Sequence, residues 1–443
     1  MVFAKDTQRD GQPRGKQSDK YNHYGCLYTR VTGIWQTVWL ERRPQAYIES
    51  VKATPDFDNS ALVVEPVLKN IKFGDTFKIT ISGNGQIFTK EVKAQTGVAT
   101  VVDMPDFIPW TPENPFLYNI LYELKREKIT DSVKSYVGMR KISIEGNKFY
   151  LNNEEIYLRF VLDQGYYSEG IWTAPSDDDL IKDIELGLKA GFNGARLHQK
   201  VFEERYLYHA DRLGYLVWAE HGDWGYKYDN WKAMAAIREA FLEEMVRDYN
   251  HPSIIAWTPT NESVFSLING DRTEHDIFMQ SMYNMVKTYD PTRPCQDTSG
   301  FLHYVTDICT VHDYEQDWEK LKSHYEKIEL DKNFEIHLEC HDNIKYTCPY
   351  EGQPMVVDEY GGPLWAPGVD EDRWGYSESK DIEDVYSKIE MLTKVLVENE
   401  NIAGYCYTQL TDVEQEQNGI YTYDRKEKFD MKRIKAYFQV ERK

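Results

Sequence analysis

The segment HPSIIAWTPTNES, residues 251–263, contains a short apolar run that ends in a polar pair, Asn261 and Glu262. The segment PMVVDEY, residues 354–360, has the same form and carries Glu359 near its end. Short apolar runs of this kind, alternating with amphipathic helices, predict strands that are buried on both faces of a parallel sheet. The two segments therefore predict an α/β sheet with acidic side chains at the ends of its strands.

Six further runs of this type complete a set of eight predicted strands, at residues 156–163, 192–198, 215–220, 253–258, 293–299, 307–314, 354–360 and 402–408. The intervening segments have helical periodicity. Ser176 is placed to cap one helix that Gly191 ends, and Gly214 is placed to end the next. Eight strands alternating with helices over residues 143–443 predict a closed (β/α)8 TIM barrel.

The residues before the barrel have a different pattern. Residues 46–142 consist of short alternating runs, such as TFKITIS and LYNILYELK, separated by Asn, Gly, Asp and Pro. This spacing predicts a small antiparallel β-sandwich. Residues 1–45 are too few for a domain, and the alternation from Val31 to Leu40 predicts one strand there. The prediction is a multidomain chain in which a sandwich precedes the TIM barrel.

The composition limits the partners that we expect. There are 52 Lys and Arg against 73 Asp and Glu, a formal charge of -21, and such a surface repels nucleic acid and anionic membranes. The chain has no apolar run long enough to span a membrane and no signal-peptide pattern at its start, so we expect a cytoplasmic location. The six scattered cysteines do not require disulfides. A homo-oligomer is compatible with the sequence.

The acidic strand ends predict a reaction. Barrel enzymes carry their catalytic groups where the strands end, and Glu262 and Glu359 follow strands on different sides of the mouth. A retaining glycosidase needs two carboxyl groups about 5–5.5 Å apart. Two carboxyls that close disfavour simultaneous ionisation, so one keeps a proton and the other needs a stabilising partner, for which Arg196 is the natural cation.

Motifs in a fixed order give the chain a resemblance to glycoside hydrolase family 2. HPSIIAWTPTNES resembles the family's acid/base segment, and PMVVDEYGG resembles its nucleophile segment. The segments GIWQTVWLE, FNGARLHQ, YLYHADRLGYLVWAE and YTQLTDVEQEQNGIYTYDR also match, in order along nearly the whole chain. The resemblance implies a retaining exo-β-glycosidase of the β-galactosidase or β-glucuronidase type, with Glu262 as acid/base and Glu359 as nucleophile.

The resemblance also implies a domain order. Residues 1–45 would be the C-terminal remnant of a jelly-roll sugar-binding domain, residues 46–142 an immunoglobulin-like β-sandwich, and residues 143–443 the TIM-barrel catalytic domain. Because only the end of the jelly roll is represented, an inactive or carbohydrate-binding remnant of such an enzyme is the alternative function.

Eight further residues are predicted to bind the carbohydrate substrate. The comparison implies that Asn261 hydrogen-bonds the sugar 2-hydroxyl and that Tyr314 or His312 orients Glu359. Tyr407 occupies a position where several relatives have Trp. The full predicted set is Asn261, Arg196, His198, His312, Tyr314, Asp163, Tyr407 and Trp365.

No cofactor or metal is expected, because glycoside hydrolysis by two carboxyls needs no Lewis acid. The segment HLECHD contains His337, Cys340 and His341, but a fourth zinc ligand is not evident in the sequence.

Overall fold

The computed structural model of the protein describes residues 3–5, 12–226, 231–263, 272–300, 302–326, 350–368 and 373–442. Within these ranges, every helix is too short or too polar to cross a membrane.

The first large unit is the predicted antiparallel sandwich. Its two sheets have the strand orders β1-β2-β5 and β4-β3-β6-β7. Alternate residues of these strands are buried, as in β3, where Phe77, Ile79 and Ile81 face the core and meet Leu62 and Val64 of β2. The strands are β1 (Tyr47–Asp56), β2 (Ala61–Lys69), β3 (Thr76–Gly83), β4 (Gln86–Lys93), β5 (Thr100–Asp103), β6 (Tyr118–Arg126) and β7 (Lys128–Val137).

A small antiparallel sheet leads from the sandwich into the barrel. It contains β8 (Ile142–Glu145), β9 (Lys148–Leu151) and β10 (Glu154–Ile156). The barrel strands follow, and each pairs in parallel with its neighbours in the order β14-β13-β12-β11-β17-β16-β15. They are β11 (Leu158–Asp163), β12 (Gly194–Leu197), β13 (Leu216–Glu220), β14 (Ile254–Thr258), β15 (Cys309–Asp313), β16 (Met355–Tyr360) and β17 (Ile402–Tyr407).

Helices cover the outside of this sheet. Gly191 and Gly214 end the first two in the left-handed conformation, as predicted. Ser176 occupies the N-cap position, but its hydroxyl donates to the Asp179 carboxylate instead of accepting a backbone N–H. The helices are α1 (Asp177–Ala190), α2 (Glu204–Leu213), α3 (Trp231–Asp248), α4 (Thr273–Tyr289), α5 (Trp318–Tyr325), α6 (Ile382–Glu398) and α7 (Met431–Phe438).

Alternation along the barrel strands separates two cores. Phe160, Trp218 and Val356 belong to a cluster that fills the barrel. Their neighbours, such as Val161 and Val357, pack instead in the layer between the strands and the helices. A residue at a strand end therefore faces either the mouth or the helix layer according to its place in this alternation.

The predicted fifth barrel strand, residues 293–299, is not formed as a ladder strand. The segment follows β14 through two isolated parallel bridges, Trp257 to Cys295 and Asn261 to Ser299. Pro294 has no N–H to donate. In addition, the Asp297 carboxylate accepts the N–H groups of residues 304 and 305, and so holds a turn where a strand would continue. The segment still lies beside β14 and contributes Ser299 to the mouth.

The strand predicted between Val31 and Leu40 is also wrong. The described residues 12–45 form isolated bridges and turns but no named strand. The backbone finds no adjacent strand for a ladder, and Val38 and Leu40 are exposed. The segment lies against the barrel at its strand ends, where Arg14 N–H donates to the Trp224 carbonyl.

Candidate active site

The two glutamates predicted to react lie together at the mouth of the barrel. Glu262 follows β14 and Glu359 lies in β16, and one carboxylate oxygen of each is within 4.8 Å of the other. The Glu262 backbone has a left-handed φ of 48°, and its N–H donates to the Ser299 carbonyl. A non-glycine residue in this region costs about 1–3 kcal/mol, which the surrounding contacts must offset.

Glu359 is held as an ionised carboxylate. Arg196 Nη2 donates to Oε1, and the Tyr314 hydroxyl donates to Oε2 at 2.5 Å. Burial opposes ionisation, but His312, Arg196 and Lys16 outweigh it and hold the pKa of Glu359 below its usual value. The two glutamates therefore differ in how well a negative charge is stabilised. Arg196 contacts Glu359 directly, and in the described structure no guanidinium contacts Glu262.

Arg196 is the centre of the buried charges. It is fully buried, with Nε 3.2 Å from Glu220 Oε2 and Nη1 3.3 Å from Asp358 Oδ2. Burial opposes its charge, yet Glu220, Glu359 and Asp358 outweigh burial and raise its pKa. Burial raises the pKa of Glu220 to about 8 in spite of Arg196. Arg196 therefore links Glu359 to two further buried acids, Glu220 and Asp358.

His312 bridges the two glutamates. Its Nδ1 lies 2.8 Å from Glu262 Oε1, and its Nε2 lies 3.4 Å from Glu359 Oε1 and 3.0 Å from Ser299 Oγ. Burial opposes protonation, but Glu359, Asp358 and Glu262 together raise the pKa of His312. A protonated imidazole here donates to Glu262 and stabilises negative charge on both carboxyls.

The same three residues form a potential cation site. Glu262, His312 and Glu359 each offer one possible ligand atom, and these three atoms lie within 4.8 Å of one another. A cation bound there would occupy both carboxyls. The zinc interpretation of His337, Cys340 and His341 falls outside the described residues.

Asn261 and His198 flank Arg196. Asn261 Oδ1 accepts from Arg196 at 3.4 Å, and in the described part of the chain its Nδ2 has no hydrogen-bond partner. That amide donor is therefore available to a ligand. His198 Nδ1 lies 2.8 Å from Arg196 Nη2 and 4.0 Å from Glu359 Oε1. Burial holds the pKa of His198 well below its usual value, so His198 is a neutral group that fixes Arg196.

Three of the predicted site residues lie elsewhere. Asp163 is buried below the rim, where its carboxylate accepts the Gly165 N–H and lies 3.4 Å from the Tyr206 hydroxyl. Burial and the neighbouring Asp183 raise its pKa to about 7. These contacts fix the loop after β11, so the structure does not bring Asp163 to the glutamates.

Tyr407 and Trp365 also differ from the prediction. The Tyr407 ring packs in the helix layer, 5.0 Å from the Phe438 ring, because its place in the strand alternation points it away from the mouth. The next residue, Thr408, is the one that reaches the site, with Oγ1 3.1 Å from the Tyr314 hydroxyl. Trp365 is half-buried against the same helix-layer core, and its backbone N–H donates to the Gln417 carbonyl.

The structure adds residues that the sequence did not single out. Lys16 of the N-terminal segment is buried, with Nζ 4.2 Å from the centroid of the Trp224 ring. Burial opposes its charge, but Cys26, Glu416, Glu359 and Glu262 outweigh burial and raise its pKa. No periodic pattern marks Lys16 in the sequence. Tyr376 stacks on the Tyr314 ring. Glu416 lies within the quoted segment YTQLTDVEQEQNGIYTYDR, so that motif contained a signal for it.

Both large domains of the chain match models of one family. Residues 142–441 match the family model described as "Glycosyl hydrolases family 2, TIM barrel domain", and residues 46–140 match that described as "Glycosyl hydrolases family 2". The chain belongs to glycosyl hydrolase family 2. The barrel preceded by an immunoglobulin-like sandwich, and the family resemblance of its motifs, are both confirmed.

Named relatives include a β-galactosidase from Thermoanaerobacterium thermosulfurigenes, 29% identical over 344 residues, which are 71% of this chain and 44% of that protein. A β-galactosidase from Enterobacter cloacae is 27% identical over 360 residues, 75% of this chain and 33% of that protein. The chain thus spans less than half the length of these curated relatives.

Solved structures share the fold. A β-glucuronidase from Bifidobacterium dentium superposes with a TM-score of 0.74 at 19% identity, over 90% of this chain and 67% of that one. A β-galacturonidase from Eisenbergiella tayi gives a TM-score of 0.71 at 18% identity, over 90% of this chain and 73% of that one.

Proposed function

We propose that this chain is a retaining exo-β-glycosidase that hydrolyses terminal β-linked sugars by double displacement. The observation that carries the proposal is the approach of Glu262 and Glu359 to within 4.8 Å, where Arg196 and Tyr314 donate to Glu359 and, among the described contacts, not to Glu262. That asymmetry assigns the roles. The group with charged and neutral donors attacks, and the other carboxyl handles the proton.

In the first half-reaction, a Glu359 oxygen forms a bond to the anomeric carbon while the bond to the leaving oxygen breaks. Glu262 donates its proton to that oxygen. The ester formed with Glu359 removes the negative charge beside His312, and Glu262 then takes a proton from water as the water attacks the anomeric carbon. The free enzyme is regenerated with Glu359 ionised again.

The supporting residues have distinct parts in this proposal. Arg196 and Tyr314 hold the Glu359 carboxylate toward the sugar, and the free amide donor of Asn261 is offered to the 2-hydroxyl. His198 acts through Arg196. Asp163, Tyr407 and Trp365 have structural contacts and are not assigned to sugar binding. One relative is named a β-galactosidase and another a β-glucuronidase, so the proposed sugar is a terminal galactose or glucuronate.

The test is conversion of Glu359 to Gln, with turnover measured on a panel of 4-nitrophenyl β-glycosides. We expect wild-type hydrolysis of at least one β-galactoside or β-glucuronide and a loss of about 10³-fold or more in the variant. A Glu359→Gln variant that hydrolyses the same substrate near the wild-type rate would contradict the assignment. Glu383→Gln, an exposed acid on α6, is the matched control.

A second candidate is a carbohydrate-binding protein without turnover. The contact of His312 with Glu262 favours it, because a protonated imidazole there stabilises Glu262 as a carboxylate, whereas an acid catalyst must carry a proton. Sugar binding measured by calorimetry, combined with no turnover across the panel, would support this candidate and reject hydrolysis.

A further inference from the structure

A cavity of about 400 Å³ lies beside the mouth, between the N-terminal segment and the loop after β11. Its walls include the cations Lys5, Arg14 and Arg30 and the rings of Trp35 and Trp172. None of these residues takes part in the proposed hydrolysis.

Two guanidinium nitrogens of this cavity lack acceptors. Arg14 Nε and Arg30 Nη1 are buried, and neither has a hydrogen-bond partner among the described residues. Arg14 Nη1 lies 3.8 Å from Asp19, whereas no carboxylate in the described ranges forms an ion pair with Arg30. A buried guanidinium nitrogen without an acceptor is unfavourable, and a negatively charged ligand in the cavity would supply the missing acceptor.

The tryptophans provide a second, independent feature of a binding site. The rings of Trp35 and Trp172 stack with their centroids 5.4 Å apart and their planes at 17°. Trp172 is only 8% exposed, yet its Nε1 has no hydrogen-bond partner in the described structure. Trp172 also stacks on the Tyr166 ring, so the half-buried Trp35 ring is the one that a sugar in the cavity can contact. An aromatic ring beside unsatisfied donors suits a sugar, which presents C–H groups on its faces and oxygens at its edges.

Charge distribution points in the same direction. Residues 12–45 carry six Lys or Arg and two Asp or Glu, a net charge of +4, in a chain whose formal charge is -21. The overall field repels an anionic carbohydrate, and this local excess of cations reduces that repulsion beside the mouth.

We propose that this cavity is a subsite for an anionic sugar unit, so that the substrates of the adjacent active site are acidic oligosaccharides. Arg30 and Arg14 bind the negative group, and Trp35 contacts the sugar ring. That these ligands are substrates rests on the proposed hydrolase function, whereas their binding in the cavity can be measured without turnover. The negative group is a carboxylate or a sulfate ester, since both present oxygens to a guanidinium.

The experiment uses calorimetry on the full chain carrying Glu359→Gln, so that no ligand is hydrolysed. The ligands share one backbone: cellotriose, its C6-oxidised tricarboxylate and its 6-sulfated form. At low salt, we expect at least one acidic trisaccharide to bind about tenfold or more tightly than cellotriose, with affinity that falls as salt rises. Which acidic form binds distinguishes carboxylate from sulfate. Equal affinity for cellotriose and both acidic forms would overturn the proposal.

Variants locate the site. Arg30→Gln should remove most of the preference for the acidic ligand, Arg30→Lys should keep most of it, and Arg43→Gln, an exposed arginine outside the cavity, should leave it unchanged. If Arg30→Gln does not fold, Arg14→Gln gives the same comparison. A preference that survives both glutamine substitutions would overturn the proposal.

Turnover separates the two proposals. The Arg30→Gln variant should hydrolyse neutral and anionic nitrophenyl glycosides at the wild-type rate, since these substrates do not extend to the cavity. An inert wild-type chain that still prefers acidic ligands would reject the hydrolase proposal and keep this subsite.

Discussion

Two neighbouring parts of the barrel rim carry polar residues at strand ends and have opposite outcomes. At the ends of β15 and β16, Tyr314 and Glu359 point into the mouth and meet Arg196. At the ends of β11 and β17, Asp163 and Tyr407 turn into the loop and the helix layer. Position at a strand end is therefore insufficient, because the strand alternation decides which side chains face the mouth.

The largest effect expected on the mouth side is that of Glu262→Gln. Loss of the proton donor should lower kcat/KM by about 10²–10⁴-fold for a substrate with a poor leaving group. A nitrophenyl leaving group needs less protonation, so kcat/KM of the variant for a nitrophenyl glycoside should fall less. Steady-state kinetics on an alkyl and a nitrophenyl glycoside test this, and equal losses on both would argue against an acid role for Glu262.

Removal of Arg196 tests whether the buried charges at the mouth also stabilise the folded chain. Arg196→Met leaves Asp358 and Glu359 buried beside one another without their cation, and should destabilise the chain by about 3–5 kcal/mol. Urea unfolding measures the loss. Arg433→Met, which breaks an exposed ion pair with Glu383, is the control and should change stability little. Similar losses for both variants would contradict the buried-network account.

A pair of Tyr→Phe variants compares the two rim regions directly. Tyr314→Phe removes a hydrogen bond to the ionised Glu359 carboxylate. Such a bond contributes about 1.5–3 kcal/mol, so its loss should lower kcat/KM by about tenfold or more. Tyr407→Phe changes a ring in the helix layer and should leave kcat/KM within about twofold. The comparison fails if Tyr407→Phe costs as much activity as Tyr314→Phe.

The smallest expected effect concerns pH. Lys16 helps to hold the pKa of Glu359 below its ordinary value, and Glu359 acts in the ionised form. Activity is therefore retained as the pH falls until it passes through that lowered pKa. Lys16→Met should raise the pKa and move the acidic limb of the kcat/KM profile to higher pH. Lys20→Met, a cation over the exposed Tyr24 ring, should leave the limb in place. An unmoved or lowered limb in Lys16→Met would contradict the electrostatic role.

The sequence predicted the barrel because buried runs such as SIIAWT and PMVVDEY leave few alternatives. It also predicted that Glu262, Glu359, Arg196, His312 and Tyr314 gather, since all follow strands that meet at one rim. It failed at Tyr407, where a shift of one residue reverses the facing of a strand side chain. It failed at residues 293–299, where Pro294 has no N–H to donate and the Asp297 carboxylate holds a turn by accepting the N–H groups of residues 304 and 305.

Lys16 and the cavity at Arg30 could not be predicted in this way. Lys16 and Arg30 lie in residues 12–30, which precede the alternating stretch and have no helical or strand periodicity, so no local rule places their side chains. Their positions follow from long-range contacts such as that of Lys16 with Trp224, which lies far along the chain.

The central claim is that Glu359 attacks the sugar while Glu262 faces it across the mouth. Its most direct test is peptide mass mapping after reaction with a 2-fluoro β-glycoside that has an activated leaving group, using the sugar found in the nitrophenyl panel. The fluorine slows both half-reactions and the leaving group restores the first, so an ester intermediate should accumulate on the peptide that contains Glu359. An adduct on another residue, or turnover with inverted configuration and no adduct, would contradict the account.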